Sequence, residues 1–150
     1  MNYLIDSNVI SELYDTTATN HANISKKLNN LSNNDNVFVS IITLYELEYA
    51  YCNAPIEKSE IIRNDIIHLR KNFDIAALSL SSSEIFGRLK KQYKDEFMIN
   101  KENIKKHNID IILASQAIDR QCILVSGDKI YQTLKKLDNR LNNEDWTIFN

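Results

Sequence analysis

Short apolar runs that alternate with apolar residues at helical spacing constrain this chain more than any other feature. NYLI at 2–5, VFVS at 37–40, DIAAL at 74–78 and CILVS at 122–126 each read as a buried strand, and WTIF at 146–149 as a last short one. Runs this short, bounded by turn residues, suit strands covered on both faces. Helical patterns lie between them: Val9, Ile10 and Leu13 after a cap at Ser7, then ANISKKLNNL, then TLYELEYAYC from Thr43. A long helix follows from Pro55 to about Lys71 with Ile61, Ile62, Ile66 and Leu69 inward. SEIFGRLKKQYK opens on Ser81 with Glu84 as a capping box, NKENIKKHN reads as a loop, and IDIILASQAID and GDKIYQTLKKL complete the set. The order predicts an α/β fold, a mostly parallel central sheet of four to five strands flanked by helices, with its site at the carboxyl ends of the strands.

A length of 150 residues fits one domain, 1–150, with a core burying roughly 68–70 % of the unfolded surface. Two Gly and one Pro leave few of the breakers that an all-β fold needs at its turns. A net charge of −2 does not mark a general nucleic-acid binder, so any such contact rests on a local basic patch. The chain holds no apolar stretch of membrane-spanning length, and an acid stands at position 6 where a signal peptide carries basic residues; a cytoplasmic protein is expected. Cys52 and Cys122 fit no CxxC pattern and read as buried free thiols, and His21, His68 and His107 form no zinc grouping.

Four acids stand out by position. Asp6 ends the first strand, Glu46 lies in the helical stretch that follows the second strand, Asp110 heads an apolar face of Leu113, Ala114, Ala117 and Ile118, and Asp128 follows the fourth strand through S-G-D. Singly, each has an ordinary use. Asp6 and Asp128 serve equally as turn or cap residues, Thr43 and Glu46 match a capping box, and Asp110 suits a helix N-terminus after a cap at Asn108. Together they fall at one edge of the expected sheet, Asp6 and Asp128 at strand ends, Glu46 and Asp110 in the first turns of helices starting there. Two carboxylates 4 Å apart repel by about 4 kcal/mol at an effective dielectric of 20, so four of them call for a cation. Oxygen-only donors point to Mg²⁺, with Mn²⁺ as a substitute, and such ions hold a phosphate and activate water.

The motifs Y-L-I-D6-S-N8, V-S-I-I-T43-L-Y-E46-L-E-Y, D110-I-I-L-A-S and L-V-S126-G-D128 resemble, in order and spacing over nearly the whole chain, those of the PIN-domain ribonucleases, and among them the VapC-type toxins of toxin–antitoxin pairs. The resemblance implies that Asp6, Glu46, Asp110 and Asp128 are both the metal-binding and the catalytic residues. It makes Asn8 and Ser126 the residues that orient them, and leaves Glu48 and Asp119 outside the site. It also implies Mg²⁺-dependent cleavage of RNA to a 5′-phosphate and a 3′-hydroxyl, a cognate antitoxin that covers the site, and a homodimer. Ser115 stands where the family has a second alanine, and S-G-D replaces the commoner T-N-D.

Lys105 and Lys106, just before Asp110, are candidate RNA contacts, and a solvated loop explains them as well. Ile10, Leu13 and Tyr14 suit either a partner surface or the core. A phosphoryl-accepting receiver domain needs an acid ending the third strand, where Ser79 and Leu80 follow DIAAL; a haloacid-type phosphatase needs D-x-D where this chain has D6-S-N8. A non-catalytic PIN-like module that binds RNA or protein has no physical need of four repelling carboxylates. A PIN nuclease of RNA processing without an antitoxin stays open.

Overall fold

The computed structural model describes residues 1–148. Five strands, β1 (Asn2–Ile5), β2 (Asn36–Ser40), β3 (Asp74–Ala76), β4 (Ile123–Val125) and β5 (Asn142–Glu144), form one sheet in the order β3-β2-β1-β4-β5. Every pair is parallel, with Ile5 opposite both Val39 and Val125. Parallel strands need crossovers, and helices supply them. α1 (Ser7–Tyr14) and α2 (His21–Asn29) join β1 to β2; α3 (Ile41–Asn53) and α4 (Ile56–Asn72) join β2 to β3. α5 (Leu80–Glu96), the single turn α6 (Lys101–Ile104), a 3-10 turn at Lys105–His107 and α7 (Asn108–Asp119) lead to β4, and α8 (Ile130–Leu137) leads to β5.

Alternation along the strands splits the core in two. Leu4 and Leu124 face α5, α7 and α8, packing with Leu89, Ile111, Leu113, Tyr131 and Leu134. Tyr3, Ile5 and Val125 face the other way, against Val9, Ile10, Ile24, Leu69 and Trp146. β1 is thus covered on both faces, as its unbroken apolar run requires. The chain runs outward from β1 through β2 and β3, then returns to β4 on its other side. The order therefore reverses between β1 and β4, the place where open α/β sheets leave a crevice at the strand ends.

Several local expectations are corrected. The fifth strand is Asn142–Glu144, not WTIF. Trp146 is instead buried in a turn, its ring centroid 5.3 Å from that of Tyr3 and its Nε1 donating to Glu144 Oε2 at 2.8 Å; Phe149 lies outside the described residues. The polar β5 is tied in by Asn143, whose Nδ2 donates to the carbonyls of Leu124 and Ser126. NKENIKKHN is largely helical rather than a loop.

The α5 capping box is Ser79 with Ser82, not Ser81 with Glu84. Ile61 is exposed although Ile66 and Leu69 are buried, because α4 turns only a narrow apolar stripe inward. Cys122 is buried but Cys52 is exposed, and both are free thiols. Ile10 is buried, and Leu13 and Tyr14 pack against the same cluster, so these three serve the core. Among the described residues no helix is long and apolar enough to cross a membrane.

The α7–β4 junction holds one strained residue. Gln121 adopts φ +55°, its N–H donating to the Ile118 carbonyl while the Cys122 N–H donates to that of Ala117 at 2.8 Å. This is the left-handed helix termination that glycine normally serves. A left-handed non-glycine residue costs roughly 1–2 kcal/mol, partly offset by glycine's greater freedom in the unfolded chain. Gln121→Gly is expected to raise stability by roughly 0.5–1 kcal/mol in urea titration.

Candidate metal centre

Asp6 is placed by the sheet itself. Its N–H continues the β1–β4 ladder by donating to the Val125 carbonyl at 3.0 Å, and its own carbonyl accepts from Val9 and Ile10 to begin α1. Its side chain, with the residue only 3 % exposed, accepts from the Ser7 N–H at 2.7 Å. The cap of α1 is therefore Asp6 and not Ser7. Capping occupies Oδ1. Oδ2 accepts from the Ser126 hydroxyl at 2.8 Å, and the same Ser126 oxygen accepts the Asp128 N–H at 3.1 Å. Ser126, itself buried, thus couples the acid that ends β1 to the acid that follows β4.

Asp128 Oδ1 accepts the Ile130 N–H at 3.0 Å, which fixes the turn into α8. Gly127 between them has a physical reason. A Cβ there would stand 3.1 Å from Asp145 Oδ1 and 3.3 Å from Thr147 Oγ1, since the turn after β5 lies against it. A side chain at 127 would thus press on Asp145 and Thr147, while the Asp128 backbone is held by Ser126.

Glu46 and Asp110 arrive from helices. The cap of α3 is Ser40, whose hydroxyl accepts the Ile42 N–H, so Thr43 is inside the helix and Glu46 falls in its second turn. The Thr43–Glu46 capping box does not form. Asp110 is the third residue of α7; His107 occupies the cap position and Asn108 is already helical. Among the described residues Glu46 Oε1 is buried without a hydrogen-bond partner, and so are Thr43 Oγ1 one turn before it and Asn108 Oδ1.

The four acids sense one another. Burial, then the charges of Asp6 and Asp110, raises the Glu46 carboxyl above its ordinary range. Burial, then Asp128 and Asp6, raises Asp110, with Tyr131 and His107 opposing. Burial most of all raises Asp6, Asp128 adding to it, although Ser126 and Ser7 stabilise its charged form. As like charges do, the acids stand apart: among the described residues no three Asp, Glu, His or Cys side chains close to metal-cage spacing. The donor set fits a hard divalent cation all the same, being all carboxylate, with Asp6, Glu46 and Asp110 raised in pKa by burial first and by neighbouring acids second, and including a Glu46 oxygen with no partner among the described residues.

Of the residues expected to orient the acids, Ser126 does so. Asn8 is exposed on α1, lining the same shallow cleft as Gly127 and Asp128, and among the described residues its side chain makes no hydrogen bond. Glu48 and Asp119 are indeed elsewhere, Glu48 on Arg63 at 3.1 Å and Asp119 accepting from Ser79 at 2.7 Å. Lys105 and Lys106 are exposed on the turn leading into α7, Lys105 paired with Glu102 at 3.3 Å. Ser115 is satisfied within α7, donating to the Ile111 carbonyl at 2.6 Å.

Three neighbours were not expected. The Tyr131 hydroxyl lies 3.4 Å from Asp110 Oδ1, and His107 Nδ1 lies 4.0 Å from Asp110 Oδ2. Tyr93 stands edge-on to the His107 ring with centroids 5.3 Å apart, and its hydroxyl feels Asp110 and Asp128. The i, i+3 spacing of His107 and Asp110 is a legible signal; nothing local marks Tyr131, which lies 21 residues from Asp110.

A family model described as PIN domain matches residues 3–137. Among solved structures, the chain resembles one of VapBC2 from Rickettsia felis bound to a DNA fragment from its promoter (20 % identity, 97 % of this chain and 99 % of that chain, TM-score 0.77). It also resembles VapBC-1 from nontypeable Haemophilus influenzae (20 % identity, 99 % and 100 % covered, TM-score 0.77). A third is VapBC-5 from Mycobacterium tuberculosis, a member of a family of toxin–antitoxin systems (14 % identity, 96 % of each chain, TM-score 0.64). Compared by sequence with curated proteins, the chain matches none.

The raised Glu46 carboxyl has a consequence for stability. A carboxyl whose folded pKa lies above its unfolded value makes the folded state bind more protons in that interval, so this contribution to stability falls as pH rises. Glu46→Gln, free of metal, is expected to melt higher than wild type at pH 7, with the gap closing as pH approaches the ordinary carboxylate range. Paired thermal melts in EDTA across pH 4–8 check it; a gap independent of pH would contradict the assignment.

Proposed function

The chain belongs to the PIN-domain family, and from that premise we propose that it is a Mg²⁺-dependent endoribonuclease, the toxin of a toxin–antitoxin pair acting in the cytoplasm. The observation that carries this reading is the Glu46 carboxylate, whose Oε1 is buried without a partner while Asp6 and Asp110 repel it. A buried acceptor in that position costs stability unless a cation answers it.

Asp6, Glu46, Asp110 and Asp128 would hold the ion, Mg²⁺ or Mn²⁺, within the crevice beside β1 and β4. When bound, the ion supplies positive charge against a phosphodiester and makes water a better nucleophile. The chain's own residues do the positioning. Ser126 keeps Asp6 Oδ2 and the Asp128 backbone in register, and the Ser7 N–H fixes Asp6 Oδ1, so the first acid cannot rotate away. No neutral base is required of the protein, because the four acids and the fixed hydrogen bonds set geometry and charge. Lys105 and Lys106, exposed beside the start of α7, suit the phosphates flanking the cut. The cleaved ends would be a 5′-phosphate and a 3′-hydroxyl.

A small antitoxin and a homodimeric nuclease complete the reading. One neighbouring structure is described as a member of the VapBC family of toxin–antitoxin systems, and two others hold VapBC proteins bound to DNA. Purified protein incubated with a cellular RNA pool is expected to cut in Mg²⁺ and not in EDTA. Asp6→Asn and Asp110→Asn, folded by circular dichroism, are expected to lose about a hundredfold or more of the rate. Cutting that survives EDTA or either substitution would overturn the four-acid mechanism.

A further inference from the structure

The mechanism above leaves unused a fully buried polar group beside the acids. Tyr131 is 0 % exposed, one turn past Asp128 on α8, with its ring in the core cluster of Leu4, Leu113, Leu124 and Leu134. Phenylalanine would fill that core space with no hydroxyl to satisfy, and a buried hydroxyl is costly unless it has an acceptor. The acceptor it reaches is Asp110 Oδ1 at 3.4 Å, a long contact. Asp110 is only partly buried, 28 % exposed at its side chain, and its other oxygen faces His107 Nδ1 at 4.0 Å. Among the described residues this is the one hydrogen bond to the Asp110 carboxylate, whose Cβ–Cγ bond is a broad torsion.

We propose that Tyr131 is a positioning residue for Asp110, its hydroxyl gripping Oδ1 from the core side so that the acid on α7 meets a divalent cation in one fixed orientation. The inference rests on the reading of the four acids as a cation site. It gives the α7–α8 contact a role beyond packing: α8 carries both the turn that holds Asp128 and the hydroxyl that holds Asp110, so one helix sets two of the four acids. Groups that hold a ligand in this indirect way typically change metal affinity 10- to 100-fold when removed.

The test uses the full chain, metal-free, titrated with Mn²⁺ by calorimetry, comparing wild type, Tyr131→Phe and Tyr3→Phe. Tyr3 is the control, a tyrosine 6 % exposed in the opposite core cluster, with its hydroxyl 3.9 Å from Met1 Sδ. Tyr131→Phe is expected to fold, since the whole ring is kept, and to bind Mn²⁺ about tenfold more weakly, while Tyr3→Phe binds as wild type does. Wild-type affinity in Tyr131→Phe, equal weakening in both variants, or failure of Tyr131→Phe to fold would each overturn the proposal and return the hydroxyl to the core. A wild type that binds no Mn²⁺ would instead remove the cation site, and this inference with it.

Discussion

The hydrogen bond from the Ser126 hydroxyl to Asp6 Oδ2 is the interaction on which the rest of the site depends. It closes the gap between the first and fourth strands at the point where the chain order reverses, and its oxygen also receives the Asp128 N–H. A carboxylate only 3 % exposed would ordinarily be protonated or expelled. Asp6 is retained because the Ser7 N–H and Ser126 hydroxyl answer both of its oxygens, and because the ladder bond to Val125 leaves its backbone no alternative position.

Around that fixed acid the other three are delivered by different devices. Asp128 is held through its backbone, Asp110 stands in the first turn of α7, and Glu46 comes from the second turn of α3. The elements that carry them are tied to the sheet independently. Gln116 on α7, for example, donates to the carbonyls of Ala76 and Ala77 at the end of β3. The site is therefore assembled from parts that each fold for reasons of their own, and the cost appears in the acids themselves: burial first, and one another's charge second, raise the carboxyls of Asp6, Glu46 and Asp110. Such a conflict between stability and arrangement is the mark of a functional cluster rather than of a packing core.

Much of this was legible in the chain. Apolar runs covered on both faces have a strong signal, so β1, β2 and β4 were readable, and with them the positions of Asp6 and Asp128. What escaped was decided by contacts remote in sequence. NNE at 142–144 has no strand propensity and becomes β5 only because β4 offers an unpaired edge and Asn143 can bond across it. Trp146 reads as a strand residue but is drawn into the core beside Tyr3. The caps shifted by a few residues, Ser40 in place of Thr43 and Ser79 in place of Ser81, because several hydroxyls in each stretch were equally able to cap and packing chose among them.

By itself the sequence determined the alternation of strand and helix, hence the parallel sheet, and the placement of four acids at its carboxyl edge, since periodicity and strand ends are local properties of the chain. Only the tertiary structure decided that Asp6 is coupled to Asp128 through Ser126, across 120 residues, and that Asp6 caps α1. It also decided that Glu46 keeps an oxygen free and that Tyr131 turns its hydroxyl to Asp110. Those are distances between elements, and a distance between elements exists only once the two core layers have packed against the sheet.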